Sequence, residues 1–121
     1  MNALYRRYRD CVDFLVVYIQ EAHSTDGWQL PVNVREKVLF ADPKNADERS
    51  QVASSCVRNL KIEIPAVIDN EHNEVERAYT GWPDRLFLID RDGTVRFKTR
   101  PGPFGFQVAH LAAAVKTLAG N

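Results

Sequence analysis

Apolar residues cluster along the chain in patterns that predict four β-strands. Val12–Ile19 is an unbroken apolar run, rich in β-branched and aromatic residues, which predicts a strand covered on both faces. Arg85–Asp90 is also continuously apolar, and Ala66–Asp69 predicts a short strand. Thr94–Lys98 instead alternates apolar and polar residues, as an edge strand with one wet face does. Arg91, Asp92 and Gly93 join the last two strands and predict a β-hairpin.

Apolar residues at three- and four-residue spacing predict the helices. A short helix covers Asn2–Asp10, and Glu74–Tyr79 forms one or two further turns. The second helix starts near Asn45, which can cap it while Glu48 bonds back. Its apolar stripe contains Val52, Cys56, Val57 and Leu60, and that of the last helix contains Val108, Leu111, Ala112, Val115 and Leu118, with Gly120 at its end. Lys37–Phe40 is a possible short strand in the long connection after the first one.

Length, charge and hydropathy narrow the class of protein. The 121 residues fit a single domain, residues 1–121, and 16 Lys and Arg balance 16 Asp and Glu. The balanced charge provides no strong positive potential that would attract phosphate groups, so a nucleic acid is not expected as a partner. No apolar run approaches the roughly 20 residues that cross a bilayer. The N-terminus also lacks the apolar core of a signal peptide, and we therefore expect a cytoplasmic chain.

The two cysteines, Cys11 and Cys56, stand far apart in the sequence and form no CxxC pair. In a chain without a signal peptide they are expected as free thiols in a reducing compartment. Both are interpreted as small buried hydrophobic side chains, which is the commonest state of a free Cys. No zinc-ligand spacing, P-loop or dinucleotide fingerprint is present, so neither a metal nor a cofactor is expected.

The residues best suited to catalysis or ligand binding follow the first strand. Tyr18 is close to its end, and Glu21, His23 and Trp28 come after it. Ligands of open α/β sheets bind beyond the carboxyl ends of strands. At that edge the His23 imidazole can exchange a proton near neutral pH, and the Glu21 carboxylate can fix the tautomer of the imidazole. The Trp28 indole can contact an aromatic ligand with its flat apolar face. Spacing alone favours a simpler interpretation, in which Glu21 and His23 end the strand through loop hydrogen bonds.

Residues Val12–Trp28, with the sequence VDFLVVYIQEAHSTDGW, resemble the hallmark segment of the iodothyronine deiodinases. A second resemblance runs through Ala78–Ile89 and on to Gly102–Phe106. Together the two resemblances imply an α/β, thioredoxin-like fold, in which helices flank a central sheet. They also imply a cis peptide bond before Pro83, which in such folds faces the nucleophile.

The family resemblance implies an oxidoreductase that removes iodine from a small aromatic substrate. A selenocysteine or cysteine attacks the halogen, and a thiol reductant or a thioredoxin-like reductase regenerates it, with no further cofactor. Carried over residue by residue, His23 orients or protonates the phenolic ring, and Glu21 with Tyr18 belongs to the proton relay. The resemblance also implies substrate binding by three residues, Trp28, Pro83 and Arg100. Arg100 would contact the amino-acid end of the substrate.

The chain departs from the family pattern at its start. The first strand and the turn that bears the nucleophile have no counterpart among the 121 residues, and neither Cys11 nor Cys56 stands at the nucleophile's place. We expect the chain as given to be inactive, with an upstream UGA codon, read as selenocysteine, in a longer frame. A membrane anchor in that frame stays open. Without the central strand, two strand edges are expected to be unpaired, which predicts marginal stability or a homodimer.

Two other functions remain alternatives at this stage. One is a peroxiredoxin-like thiol peroxidase or general redoxin, because the second resemblance is shared with such proteins. The other is a non-catalytic thioredoxin-like binding module that uses the Glu21 and His23 pocket without redox chemistry. The codons that precede Met1 would discriminate among the three.

Overall fold

The computed structural model describes residues 1–20 and 44–120. Helices and short strands alternate in the predicted order, which makes the chain an α/β protein. The possible strand Lys37–Phe40 lies outside the described residues. The elements are α1 (Asn2–Tyr8), β1 (Val16–Tyr18), α2 (Ala46–Asn59), β2 (Ala66–Ile68), α3 (Glu74–Tyr79), β3 (Phe87–Ile89), β4 (Val95–Lys98) and α4 (Val108–Leu118).

The chain divides into two compact units. The first contains Met1–Phe14 and the chain from Trp82 onward, and the second runs from Leu15 to Gly81. Each unit has a sheet of two strands: β3 pairs with β4 in the first, and β1 pairs with β2 in the second. Within residues 1–20 and 44–120, β1 and β3 each pair with one strand only.

The core of the first unit lies between α1, α4 and the hairpin. Its buried side chains are Leu4, Tyr8, Leu88, Leu111 and Val115. Of the predicted stripe of α4, Leu111 and Val115 are buried, whereas Leu118 at the helix end is 40% exposed, against the prediction. Gly120 follows α4 with a φ of 74°, a left-handed conformation that suits Gly after a helix end.

The β3–β4 hairpin is formed as predicted. The strands are antiparallel, with Leu88 opposite Phe97. The Asp90 N–H donates to the Thr94 carbonyl at 2.9 Å, which closes the turn. Gly93 has a φ of 83°, which a residue with a Cβ adopts only under strain. The Asp92 carboxylate accepts a hydrogen bond from the Thr94 N–H at 2.9 Å.

The second unit contains a parallel pair of strands and helix α2, which packs on β2. Val16, Val17 and Tyr18 lie opposite Ala66, Val67 and Ile68. The predicted cap of α2 is confirmed: the Asn45 side chain accepts from the Glu48 N–H at 2.9 Å. The Glu48 carboxylate bonds back one residue further than a capping box requires, to the Lys44 N–H at 2.9 Å.

Some predicted boundaries and burials are wrong. The run Val12–Ile19 is not one strand, because Val12 and Phe14 pack against the core of the first unit and β1 begins only at Val16. Leu60 is 49% exposed rather than part of the α2 stripe, since it lies at the helix end. Cys11 is exposed in the turn after α1, and Cys56 is only partly buried.

Candidate functional site

The predicted site residues fall into three groups in the structure. Glu21, His23 and Trp28 lie outside the described residues, so the acid and imidazole pair stays a prediction. Tyr18 is the last residue of β1 in the second unit. Pro83 and Arg100 belong to the first unit. The described geometry therefore concerns two separate sets of residues, one in each unit.

Tyr18 is half-buried, and its backbone position is fixed from the neighbouring strand. It lies opposite Ile68, and its carbonyl accepts a hydrogen bond of 2.8 Å from the Asp69 N–H. This bond extends the parallel pairing by one step beyond the last residue of β2. The segment that carries Glu21 and His23 in the sequence thus follows a backbone position held by Asp69.

Asp69 caps a helix that begins five residues later in the sequence, at Glu74. Its carboxylate accepts hydrogen bonds from the N–H groups of Val75 at 3.0 Å and Glu76 at 2.9 Å, at the first turn of α3. It also accepts one from its neighbour Asn70, at 2.9 Å. Asn73, the residue in the usual capping position, has a left-handed backbone and makes no side-chain cap. Asp69 takes over the capping role that Asn73 does not perform.

Arg49 of α2 is buried beside Asp69. Arg49 is 5% exposed and Asp69 is 4% exposed. The Arg49 guanidinium donates to the Asp69 carbonyl at 3.4 Å and to the Asn70 carbonyl at 2.6 Å. This cation satisfies backbone acceptors of the turn after β2 and supplies a positive charge next to a buried carboxylate.

Burial alone would raise the pKa of Asp69, but the surrounding donors outweigh it. The N–H groups of Glu76, Val75 and Asn70 and the charge of Arg49 stabilise the carboxylate, so its pKa lies below the usual range. Sequence reasoning missed both residues. Two features of the sequence could have identified them. Asp69 comes directly after a strand, and Arg49 lies four residues before the buried Ala53, on the same side of α2.

The peptide bond between Trp82 and Pro83 is cis, which confirms the prediction. Beyond Pro83 the chain pairs with the segment that follows β4. The Thr99 N–H donates to the Leu86 carbonyl at 3.0 Å, and the buried Thr99 hydroxyl accepts from the Leu86 N–H at 3.1 Å. The Arg85 guanidinium donates to the Thr99 carbonyl at 2.7 Å. These bonds continue the hairpin past its strands toward Pro83 and Arg100.

The turn from Arg100 to Gly105 is packed against backbone and side-chain atoms of the same unit. The Gly102 N–H donates to the Asp84 carbonyl at 3.0 Å, and the Gly105 N–H donates to the Pro101 carbonyl at 3.2 Å. A Cβ on Gly102 would lie 1.6 Å from an Asp84 carboxylate oxygen. The peptide bond between Gly102 and Pro103 is a second cis bond, which the sequence did not predict. The glycines permit a close approach that fixes the turn.

Gly105→Ala is expected to destabilise the first unit by about 1–3 kcal/mol. The added Cβ would lie 2.5 Å from the Arg100 carbonyl oxygen and 2.6 Å from its carbon, so backbone would have to move. Urea unfolding measures the loss. Gly81→Ala is the matched control, because its Cβ would meet nothing closer than 3.6 Å. Equal stabilities of the two variants would contradict the expected clash.

Arg100 and Pro83 lie at the open end of the hairpin, opposite its tight turn. Arg100 is exposed, and none of the residues that the structure describes forms an ion pair with its guanidinium. Pro83 is half-buried. The arrangement leaves a cation beside the cis-proline segment, where it can meet an anionic group of a ligand.

In the ranges 1–20 and 44–120, no group of three or more His, Cys, Asp or Glu side chains is placed to hold a metal ion. No helix within these ranges combines the length and the apolar character needed to cross a membrane.

Comparison with known proteins agrees with the resemblance seen in the sequence. The family model described as iodothyronine deiodinase matches residues 1–118. Thyroxine 5-deiodinase of Sparus aurata is 34% identical over 108 residues, which cover 87% of this chain and 38% of that protein. The enzymes of that name from Ovis aries and Homo sapiens are each 32% identical, over 109 and 111 residues that cover 89% of this chain.

The chain spans about a third of the length of these relatives, 35% for Ovis aries and 34% for Homo sapiens. The family match extends over nearly all of the chain and includes Tyr18, Pro83 and Arg100. The chain therefore belongs to the iodothyronine deiodinase family.

Proposed function

We propose that this chain is part of an oxidoreductase that replaces iodine on an aromatic ring by hydrogen. The observation that carries the proposal is the family match over residues 1–118, which includes the segment with Tyr18, Glu21 and His23. The curated relatives are named thyroxine 5-deiodinases. Neither the thiol peroxidase nor the non-catalytic binding module gains support from these matches.

The proposed reaction has two steps. A selenolate or thiolate attacks the iodine and forms a selenium–iodine or sulfur–iodine bond, while the carbon–iodine bond breaks and the ring carbon takes up a proton. Two thiols of the reductant then reduce the enzyme–iodine species. They form one disulfide and release iodide and a proton, and the enzyme nucleophile regains its own proton. The net change is one carbon–iodine bond reduced and one disulfide formed.

The proposed proton relay consists of His23, Glu21 and Tyr18. His23 supplies the proton or orients the phenolic ring, because imidazole exchanges protons near neutral pH. Glu21 keeps the imidazole in the productive tautomer. Tyr18 is the last residue of β1 and precedes Glu21 by three residues, and its carbonyl accepts a hydrogen bond from the Asp69 N–H.

The nucleophile is proposed to lie outside these 121 residues. Cys11 is exposed just after α1, and Cys56 is partly buried on α2, so neither follows a strand end, the place that the family resemblance implies for the nucleophile. A longer form would supply the nucleophile together with a further strand. The edges of β1 and β3 that have no strand partner among the described residues are the proposed contact for self-association. A small aromatic molecule and a thiol reductant or thioredoxin-like reductase are the proposed partners.

The test is to read the codons that precede Met1 and to express the longer frame. Incubation with thyroxine and dithiothreitol should release iodide, and changing the upstream UGA or Cys codon to Ser should abolish the release. Peroxide reduction is measured in parallel. A frame with neither codon, or one that reduces peroxide but releases no iodide, would contradict the proposal.

A further inference from the structure

Phe104 is the most exposed large apolar side chain of the described ranges, with 92% of its surface open to water. A single exposed apolar residue is ordinary on a protein surface and indicates no function by itself. The neighbours of Phe104 are therefore decisive. They are a turn that keeps the ring exposed and a row of cations on the strand that leads to this turn.

The turn that carries Phe104 is closed by contacts of its own backbone. The Gly105 N–H donates to the Pro101 carbonyl at 3.2 Å, and a Cβ on Gly105 would lie 2.6 Å from the Cβ of Arg100. Pro101 and Pro103 are exposed beside the ring, and the φ angle of each is fixed by its own ring. The segment therefore has little freedom to fold Phe104 back onto the core.

The row of cations follows from the alternation of side chains along β4, which continues past its last residue because Thr99 still bonds to Leu86. Phe97 packs against the core and Thr99 is buried, so the residues that alternate with them lie on the opposite face of the strand. The three exposed residues of this row are Arg96, Lys98 and Arg100. The row ends at the turn of Phe104.

Lys98 is the cation of the row that is free to meet a partner. The Arg96 guanidinium is bonded to the Asp90 carboxylate at 2.9 Å, whereas no residue of the described ranges forms an ion pair with Lys98. The surrounding charge has the same sign, because the first unit contains nine Lys and Arg but only five Asp and Glu. The outer face of the hairpin therefore attracts anions.

Charges on an edge strand have a simpler role, which is to prevent pairing with the edge of another chain. That role explains the cations but not Phe104, because an exposed ring favours association. A lipid bilayer suits both features: aromatic rings enter its interface, and Lys and Arg contact its anionic headgroups. A fluid interface also accepts one protruding ring, whereas a stable protein interface needs about 800 Å² of matched surface on each partner.

We propose that the first unit binds the surface of anionic lipid bilayers through Phe104 and the cation row of β4. The Phe104 ring enters the boundary between headgroups and acyl chains, and Lys98 contacts the headgroups beside it. The contact is peripheral and reversible, since one ring and a few cations supply only a modest affinity. This surface is independent of the proposed function, because it involves neither a nucleophile nor an iodinated substrate.

The test measures partition of the 121-residue chain onto vesicles by sedimentation. One kind of vesicle contains phosphatidylserine and phosphatidylcholine in equal parts, and the other contains phosphatidylcholine alone. We expect about tenfold tighter binding to the anionic vesicles, and the difference should shrink as salt is added. Phe104→Ala and Lys98→Gln should each weaken this binding about fivefold. Phe104→Trp should retain it, because an indole also favours the interface.

Val95→Ala and Lys116→Gln are the matched controls. Val95 is 47% exposed at the closed end of the hairpin, and Lys116 is an exposed cation of α4, which packs on the core face of the hairpin. Both positions lie outside the proposed surface, so neither variant should weaken the binding. Equal partition onto the two kinds of vesicle, no partition at all, or a control variant that loses as much as Phe104→Ala would overturn the proposal. Equally tight, Phe104-dependent binding to poly-glutamate would also overturn it, because it would assign the surface to an acidic protein.

Discussion

Asp69→Ala is expected to lower the free energy of unfolding by about 2–4 kcal/mol, because hydrogen bonds to a charged acceptor are among the strongest in proteins. The N–H groups of Asn70, Val75 and Glu76 lose their common acceptor, and α3 loses its cap. Arg49 remains buried without the carboxylate that balances its charge. Urea unfolding at pH 7 measures the loss, and faster amide exchange at Val75 and Glu76 locates it.

Two variants separate the cap from a general effect of mutation. Asp69→Asn keeps one acceptor oxygen without the charge and should show about half of the loss, as expected when a charged hydrogen bond becomes a neutral one. Glu71→Ala removes an exposed carboxylate two residues away, whose nearest partner is His72 at 3.8 Å, and should change stability by less than about 0.5 kcal/mol. A loss below about 1 kcal/mol for Asp69→Ala would rule out the capping role.

The contribution of Asp69 is expected to disappear in acid. Its pKa is lowered in the folded state, so the stability it supplies is complete above the unfolded value of about 3.9 and is lost as the pH falls through the folded value. The unfolding free energies of the unaltered chain and Asp69→Ala should differ most above about pH 5 and converge toward pH 2. A difference that stays constant from neutral to acid pH would show that the charge of Asp69 is not involved.

Local signals in the sequence predicted much of the fold. The Asn45 cap, the turn at Gly93 and the end of α4 at Gly120 each depend on a few neighbouring residues, and each is observed. The cis bond before Pro83 was predicted from the family resemblance rather than from local chemistry, which favours trans at most such bonds.

Features that depend on distant contacts were not predicted. The apolar run that starts at Val12 predicts one strand. The length of β1 is instead set by its pairing partner β2, which has only three residues. Val12 and Phe14 instead pack with the first unit, where the Phe14 ring meets Tyr5 edge-on at 5.6 Å. Asp69 caps α3 from outside the usual position, and a pattern search centred on Asn73 cannot find it.

In the candidate site, too, local features were predicted and contacts between distant residues were not. The residue types of the proposed relay come from the family resemblance, which includes a Tyr, a Glu and a His within six residues, and their roles stay a prediction. The backbone bond to Tyr18 was not predicted, because it comes from Asp69, the residue after β2, whose carbonyl in turn accepts from Arg49 of α2.

His23→Ala is expected to lower kcat/KM for iodide release by about 100-fold or more in the longer, nucleophile-containing protein, the usual loss when a general acid is removed. The ring carbon that loses iodine must gain a proton, and imidazole is the side chain best suited to supply it near neutral pH. Added imidazole should restore part of the activity.

The other two histidines provide matched controls for this loss. The His72 side chain is 71% exposed in the turn before α3, and His110 is exposed on α4. His72→Ala and His110→Ala should each retain kcat/KM within about twofold, because surface substitutions away from a site rarely change stability by more than about 0.5 kcal/mol. If His23→Ala behaves like these two variants, the proton comes from another donor, and the relay of Tyr18, Glu21 and His23 is not the source of catalysis.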